Sequence, residues 1–441
     1  MWEATLAAYA ALAVLLGVRS RATSLEDFIV GDSLRERMMV PTVVSTFYGA
    51  SAILGGTSLV YQMGLSALWF MVPFYLGSVI AVILLGCVVR SKTYTLPDFL
   101  GGFYGPGFAV SAALLLVSLC LVPEEIIAGG KLLSSFTSVS APVGMVITTF
   151  VVAVPVLLGG MRADVSTDVV QFVLMGLMLV MLIPVVVGSL PTELPPGYGD
   201  PLWALSPQQM GVFFVSLLFL PITSAPLYQR FFASESESVA RRSLLTSIGV
   251  WIAIDSLVLL AGLAALHVAP GLPDPDLALV TLGARLPLAA RLLFILGSLA
   301  AILSTVNSFL QSGASSLAYD VLQHLQPSLR EKKLLAMSRL FVVLLSLTSL
   351  GLALWFQEIV PALLFTLSMW TAGMAVPTLA ALTERQLSRM AALSSLWCGV
   401  LSSVTWKIWH PLPVDPLFVG LAGSALAAIV VDAVRLERAD R

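Results

Sequence analysis

Long apolar runs alternate with short polar segments along the whole chain. That alternation predicts thirteen helices, at 2–18, 37–60, 67–89, 107–131, 141–160, 165–190, 207–230, 243–268, 287–320, 333–356, 358–383, 388–410 and 415–435. Most approach the roughly 20 residues that cross a bilayer core. In lipid the backbone must satisfy its own hydrogen bonds, which leaves helices or a closed barrel. The runs are rich in Leu, Ala and Val and lack a period of two, so they read as helices. The segment 2–18 has no basic start and no clear small-residue cleavage site, and it reads as a retained helix rather than a signal peptide. The connections are short, so no appended soluble domain is expected.

Two of these helices carry their own interruptions. The second contains GASAILGG at 49–56 and the seventh contains PITSAP at 221–226. Gly and Pro clusters invite unwinding inside a membrane helix, although such residues also serve close helix packing. The two breaks lie five helices apart. A matched pair of broken helices points to an inverted repeat with a binding site near the membrane midplane. The chain then divides into an extra N-terminal helix and linker (1–36), a first repeat (37–190), a second repeat (191–383) and two trailing helices (384–441).

Composition agrees with this reading. Hydrophobic residues make up 58% of the chain, charged residues 11%, and mean hydropathy is +0.96. A soluble domain carries about 25% charged residues. With a net charge of -2 there is no nucleic-acid signal. With the N-terminus outside, all but four of the 23 Lys and Arg residues fall in or beside cytoplasmic loops, the exceptions being Lys131, Arg285, Arg291 and Lys407. That is the asymmetry of the positive-inside rule, and it places the chain in a cell inner (plasma) membrane with the C-terminus cytoplasmic. Cys87, Cys120 and Cys398 lie in apolar runs and read as buried small hydrophobes, without a disulfide framework.

Against this apolar background the polar groups stand out. Asn307 is the one asparagine of the chain, in STVNSF at 304–309. Ser304, Ser308, Gln311 and Ser315 recur at helical spacing and form one stripe, with Asn307 at its edge. Hydroxyl and amide oxygens suit a hard cation, although single Ser and Thr residues also bond back to their own helix. Four acids lie at membrane depth: Glu124 and Glu125 after Pro123, Asp168 near the start of helix 165–190, and Asp255. Such residues are functional candidates. Glu124 and Glu125 diverge by about 100° on a helix and cannot share a face, so one faces a cavity or a partner. Asp168 would supply charge for a cation or favour its helix N-terminus. There is no HExxH, GxSxG or phosphate-binding Walker loop, and His267, His324 and His410 are scattered, so an enzyme is the weaker class.

Four segments resemble the solute:sodium symporter family, which shares the five-plus-five inverted-repeat fold of LeuT. They are SLEDFIVGDSL (24–34), GGMRADVSTDVVQFVLM (159–175), APLYQRFFASES (225–236) and LAAILSTVNSFLQSGASSLAYDV (299–321). The resemblance covers nearly the whole chain. It implies an all-α membrane protein with broken first and sixth core helices. It also implies a sodium site built from backbone carbonyls at Ser45 and Tyr48, a carbonyl at Ala301, and the hydroxyls of Ser304 and Thr305. A second sodium, as in two-sodium members, would use Asp168, Ser304, Asn307 and Ser308, with Asn307 departing from the expected hydroxyl.

The resemblance implies a sodium-coupled symporter that imports a small organic solute by alternating access. Sugar-transporting members carry polar contacts where this chain has Phe47 and Ala52, which argues against a sugar. Glu124 and Glu125 stand where smaller or neutral residues are usual, which favours an amino-acid- or amine-like solute. Ser51, Thr223, Tyr228 and Trp370 complete the expected solute site. The expected partners are that solute, Na+ and membrane lipid, with no nucleic acid and no obligate protein partner. A proton-coupled transporter of the same fold, or a solute sensor without flux, are the competing readings.

Overall fold

The computed structural model describes residues 9, 11, 14, 15, 17–30, 33–89, 91, 93–383, 385, 387–409 and 412–439. The expected helix 2–18 lies largely outside them. The described chain is helical nearly throughout. Outside the helices, the described residues form one isolated parallel bridge, Leu34 with Ser234.

A short helix α1 (Leu25–Ile29) precedes α2 (Glu36–Phe47). A π-helical turn (Ser51–Gly55) then leads into α3 (Gly56–Met63). The helix α4 (Leu68–Val89) returns, and the short α5 (Leu96–Tyr104) leads to α6 (Pro106–Cys120) and α7 (Pro123–Phe136). Next come α8 (Ala141–Gly188), α9 (Pro207–Thr223), α10 (Ala225–Phe232) and α11 (Glu237–Val268). After α12 (Ala278–Gly283) run α13 (Leu288–Ser316), α14 (Glu331–Phe356), α15 (Ile359–Leu382), α16 (Arg389–Trp409) and α17 (Pro416–Ala439).

Both expected breaks are present. The first lies between α2 and the π turn, where Tyr48 leaves helical geometry at φ -102°, ψ 58°. The second is a single residue, Ser224, between α9 and α10.

One expectation is corrected, and one boundary takes a compact form. Helix 107–131 is not continuous, because Leu121 and Val122 are non-helical and α7 restarts at Pro123. Proline lacks the amide donor, clashes with the carbonyl four residues back, and disfavours a helical residue before it. The expected boundary between 141–160 and 165–190 is a sharp kink. The two join at one residue, Gly160, with φ +55° and ψ -142°. A Cβ there would stand 2.5 Å from the Phe28 carbonyl oxygen, so glycine serves both the left-handed backbone and the close approach.

Among the described residues, nine helical stretches are long and apolar enough to cross a membrane. Ile83, Phe150 and Leu347 are among many large apolar side chains exposed on their outer faces. An exposed apolar surface of this extent marks a lipid contact. The polar residues face inward instead: Ser304, Asn307, Ser308, Gln311, Ser312 and Ser315 of α13 are all buried. That helix packs along α8 and against α2, α6 and α7, and so forms the centre of the bundle.

Candidate functional site

The break after α2 organises the site. A helix end leaves carbonyls without intrahelical donors on one side and amides without acceptors on the other. On the amide side the acceptor comes from α7. Glu125 accepts from the backbone amides of Ala50 (2.7 Å) and Ser51 (3.0 Å) and from the Ser51 hydroxyl (2.7 Å). Glu125 sits in the first turn of its own helix as well, so its carboxylate faces the favourable end of two helices. On the carbonyl side, Thr305 of α13 donates to the Ser45 carbonyl at 3.3 Å. Gly49 lies between the two contacts. A Cβ on it would stand 2.4 Å from both the Glu125 Oε1 and the Thr305 hydroxyl oxygen.

Beside the break is a cavity that offers about 60 Å³ to the centres of water-sized molecules. Phe47, Phe74 and Phe309 contribute aromatic wall, and Ser51 and Ala52 contribute the edge of the π turn. Phe47 packs edge-on against Phe309 (centroids 6.4 Å) and Trp251 (5.9 Å). Two acids reach the wall, Glu124 and Asp255. Asp255 accepts from the Tyr48 hydroxyl at 2.5 Å and from the Tyr75 hydroxyl. Glu124 is buried, and its Oε2 has no hydrogen-bond partner among the described residues.

A second polar cluster lies between α2, α8, α10 and α13. Asp168 accepts from the hydroxyls of Ser304 and Thr42. The Arg230 guanidinium reaches Asp164 (2.9 Å), Asp168 (3.2 Å) and Ser308 (2.6 Å) through Nη2, Thr42 (2.8 Å) through Nε, and the Pro226 carbonyl (3.0 Å) through Nη1. Ser308 in turn donates to Asp164 at 3.0 Å. A buried charge is tolerated only when its donors and acceptors are met, and here the guanidinium fork meets them on three sides.

The structure therefore brings Ser45 and Thr305 together, and joins Asp168 to Ser304. Ala301 is buried on the same helix, one turn from Ser304 and Thr305. Ser308 belongs to the Arg230 cluster. Asn307 belongs to neither, since both its amide atoms are buried without a hydrogen-bond partner among the described residues. Of the expected solute residues, Phe47, Ser51, Ala52 and Glu124 lie on the cavity wall. Glu125, Thr223, Tyr228 and Trp370 are not on it. Glu125 is turned onto the backbone amides, Trp370 donates to Thr223 at 2.9 Å, and Tyr228 donates to the Ile222 carbonyl at 2.8 Å across the second break. These side chains hold the broken helices in place.

Sequence reasoning missed Asp164 and Arg230. Asp164 stands four residues before Asp168, so their shared helix face was readable. Charge counting places Arg230 beside a cytoplasmic loop, at the end of helix 207–230, yet its side chain is fully buried. Lys131, on the same helix as Glu124 and Glu125, pairs with Asp274 and Asp276, each at 2.8 Å.

A model of the sodium:solute symporter family matches residues 28–194 and 197–399. The sodium/proline symporters of Staphylococcus aureus strains JH9 and NCTC 8325 / PS 47 are each 25% identical over 436 residues, covering 89% of this chain and 82% of theirs. Among solved structures, a Na+-coupled sialic acid symporter in a substrate-bound outward-open state superposes with a TM-score of 0.82 at 16% identity, covering 98% of both chains. A nucleobase-cation-symport-1 family transporter in a closed conformation, with bromovinylhydantoin bound, gives 0.60 at 14% identity, covering 95% of this chain and 94% of its own. At these identities the structural likeness establishes the fold.

Proposed function

The chain belongs to the sodium:solute symporter family, and on that premise we propose which residues couple sodium to which kind of solute. It is a multi-pass membrane transporter, not an enzyme, and it uses Na+. In the proposed site, sodium sits where the carbonyls of Ser45 and Tyr48 face the Ala301 carbonyl and the hydroxyls of Ser304 and Thr305. The observation that carries this reading is the Thr305 hydroxyl at 3.3 Å from the Ser45 carbonyl, across the break of the first core helix. A hard cation prefers several oxygens, and the broken helix leaves carbonyl oxygens without intrahelical donors at that point.

Sodium at this position bridges α2 to α13. It favours the arrangement in which the two are in register, and a ligand shifts a conformational equilibrium by its differential affinity for the two states. Solute enters the adjoining cavity, which Thr305 also lines. One residue therefore contacts both cargo sites, which links the sodium gradient to solute import by alternating access. The solute class is amino-acid- or amine-like. Acids on the wall and the sodium/proline symporters among the relatives support this class over a sugar. The charge bias of the loops supports a plasma-membrane protein with its N-terminus outside.

The test is uptake into proteoliposomes with and without an inward sodium gradient, screening amino acids and amines. Sodium-driven accumulation is the expected result. Flux that follows a pH gradient and ignores sodium would overturn the coupling, and binding without flux would make the chain a sensor.

A further inference from the structure

We propose that Glu125 is a built-in carboxylate that fills the anion-binding end of the broken first core helix, so that the solute is an organic cation without a carboxylate. The inference rests on the symporter reading above and narrows its solute class. The exposed amides at the start of a half-helix attract an anion, and in broken-helix transporters they point at anionic groups of the solute. In this chain those amides are already occupied. The amides of Ala50 and Ser51 and the Ser51 hydroxyl all donate to one carboxylate of the protein. A tethered group competes at a high effective concentration, so a solute carboxylate would have to displace it at a steep disadvantage.

The donors on the cavity wall give an independent argument. Five side chains on the wall carry a hydroxyl, and each directs its proton to a protein acceptor. Thr46 donates to the Thr42 carbonyl (2.7 Å), Thr305 to Ser45 (3.3 Å), Thr366 to Leu363 (2.9 Å), Ser51 to Glu125 (2.7 Å) and Tyr48 to Asp255 (2.5 Å). Among the described residues the wall holds no Lys, Arg or His. It does hold Glu124, buried with an unpartnered Oε2, and Asp255. The cavity thus presents acceptors without free side-chain donors. An ammonium group has donors and no acceptor, and is the complementary ligand. The rings of Phe47, Phe74 and Phe309 add the aromatic surface on which organic cations rest. A zwitterion would bring a carboxylate that finds no free side-chain donor among the described wall residues and faces two acids.

The experiment compares compounds that differ by the carboxylate alone: pyrrolidine with L-proline, isobutylamine with L-valine, and phenethylamine with L-phenylalanine. Thermal stability of the purified full-length protein is read at fixed sodium, followed by sodium-driven uptake of each compound. At least one amine is expected to raise Tm by several degrees while its amino acid does not. Glu124→Gln is expected to weaken that amine at least tenfold. Glu125→Ala, which frees the amides, is expected to let the matching amino acid bind. A cooperative melting transition of each variant shows whether it is folded. An amino acid that stabilises the wild type as well as its amine, or a full set of inactive amines, overturns the proposal. Sodium-driven uptake of an amino acid would do so while leaving symport intact, whereas absent sodium dependence would sink symport itself.

Discussion

Arg230 and Asp168 form an ion pair of 3.2 Å in which both side chains are fully buried. Arg230 reaches Asp164 and Ser308 through the same nitrogen. Asp168, Ser304, Asn307 and Ser308 are the residues expected to hold a second sodium, and a positive charge of the protein already stands among them. Ser308 gives its proton to Asp164 and one lone pair to Arg230, which leaves it little to offer an ion. Transport with one sodium per solute is expected. With membrane voltage clamped to zero, the solute ratio at which net flux reverses should follow the first power of the sodium ratio. A second-power dependence would show that the guanidinium tolerates another cation beside it. In Asp168→Asn the buried arginine loses half of its countercharge, and breaking such a pair costs about 3–5 kcal/mol, so this variant should express poorly.

Sodium binding should depend on α13 hydroxyls more than on Asn307. Ser304→Ala and Thr305→Ala each remove one oxygen from the proposed ligand set, and each should weaken sodium by about tenfold, or about 1.4 kcal/mol. The measurement is the sodium-dependent rise in Tm, since a ligand of the native state stabilises it by RT ln(1 + L/Kd) at free ligand concentration L. Asn307→Ala should leave the sodium response within about twofold. If both hydroxyl variants keep the full response, the assignment is wrong.

Much of this architecture could be read from the chain. Apolar runs of about 20 residues are dictated by bilayer thickness, so the spanning helices were legible, and clustered Gly and Pro marked both breaks. The inward-facing polar stripe of Ser304, Ser308, Gln311 and Ser315 was legible through its helical spacing. The partnerships of the acids were not. Glu125 and Glu124 are adjacent in sequence, yet one turns onto the Ala50 and Ser51 amides and the other onto the cavity. That difference arises from how α7 meets the broken α2, a tertiary relationship with no local signature. Arg230 shows the same limit: charge counting places it beside a cytoplasmic loop, and the positions of Asp164 and Asp168 reveal why its side chain is inside. Short helices such as Leu25–Ile29 and Leu96–Tyr104 escaped because they do not span the membrane.

Gly49 is expected to be intolerant for a steric reason that is separable from helix propensity. An alanine Cβ would stand 2.4 Å from Glu125 Oε1 and from the Thr305 hydroxyl oxygen, closer than contacts allow. The carboxylate or the threonine must move. Gly49→Ala should therefore lose both the solute and the sodium responses while keeping a cooperative melting transition. Gly107, where an added Cβ meets nothing within 4 Å, serves as the control, and Gly107→Ala should retain both responses. Equal behaviour of the two variants would remove the argument that the break is packed around Glu125 and Thr305.

The last prediction concerns α1, which lies against the centre of the bundle. Gln311 of α13 donates from Nε2 to the carbonyls of Phe28 (2.9 Å) and Ile29 (3.3 Å). These are carbonyls at the end of a five-residue helix, where intrahelical donors are missing. Phe28 also packs its backbone against Gly160, the hinge of α8. Gln311→Met keeps the length of the side chain and removes the donor, so two buried carbonyls lose their partner at a cost of about 1–3 kcal/mol. The cost is local, because α1 makes few other polar contacts with α13. Trypsin cleavage near Arg21 and Arg35 should accelerate, while sodium affinity stays within about twofold of wild type. Gly160→Ala should release the same segment through the opposite fault, by pushing a Cβ into the Phe28 carbonyl and forcing a non-glycine residue into a sparsely populated positive-φ conformation that costs about 1–3 kcal/mol. If neither substitution changes the cleavage rate, α1 is held by its apolar contacts, led by buried Leu25, Phe28 and Ile29, and not by these backbone attachments.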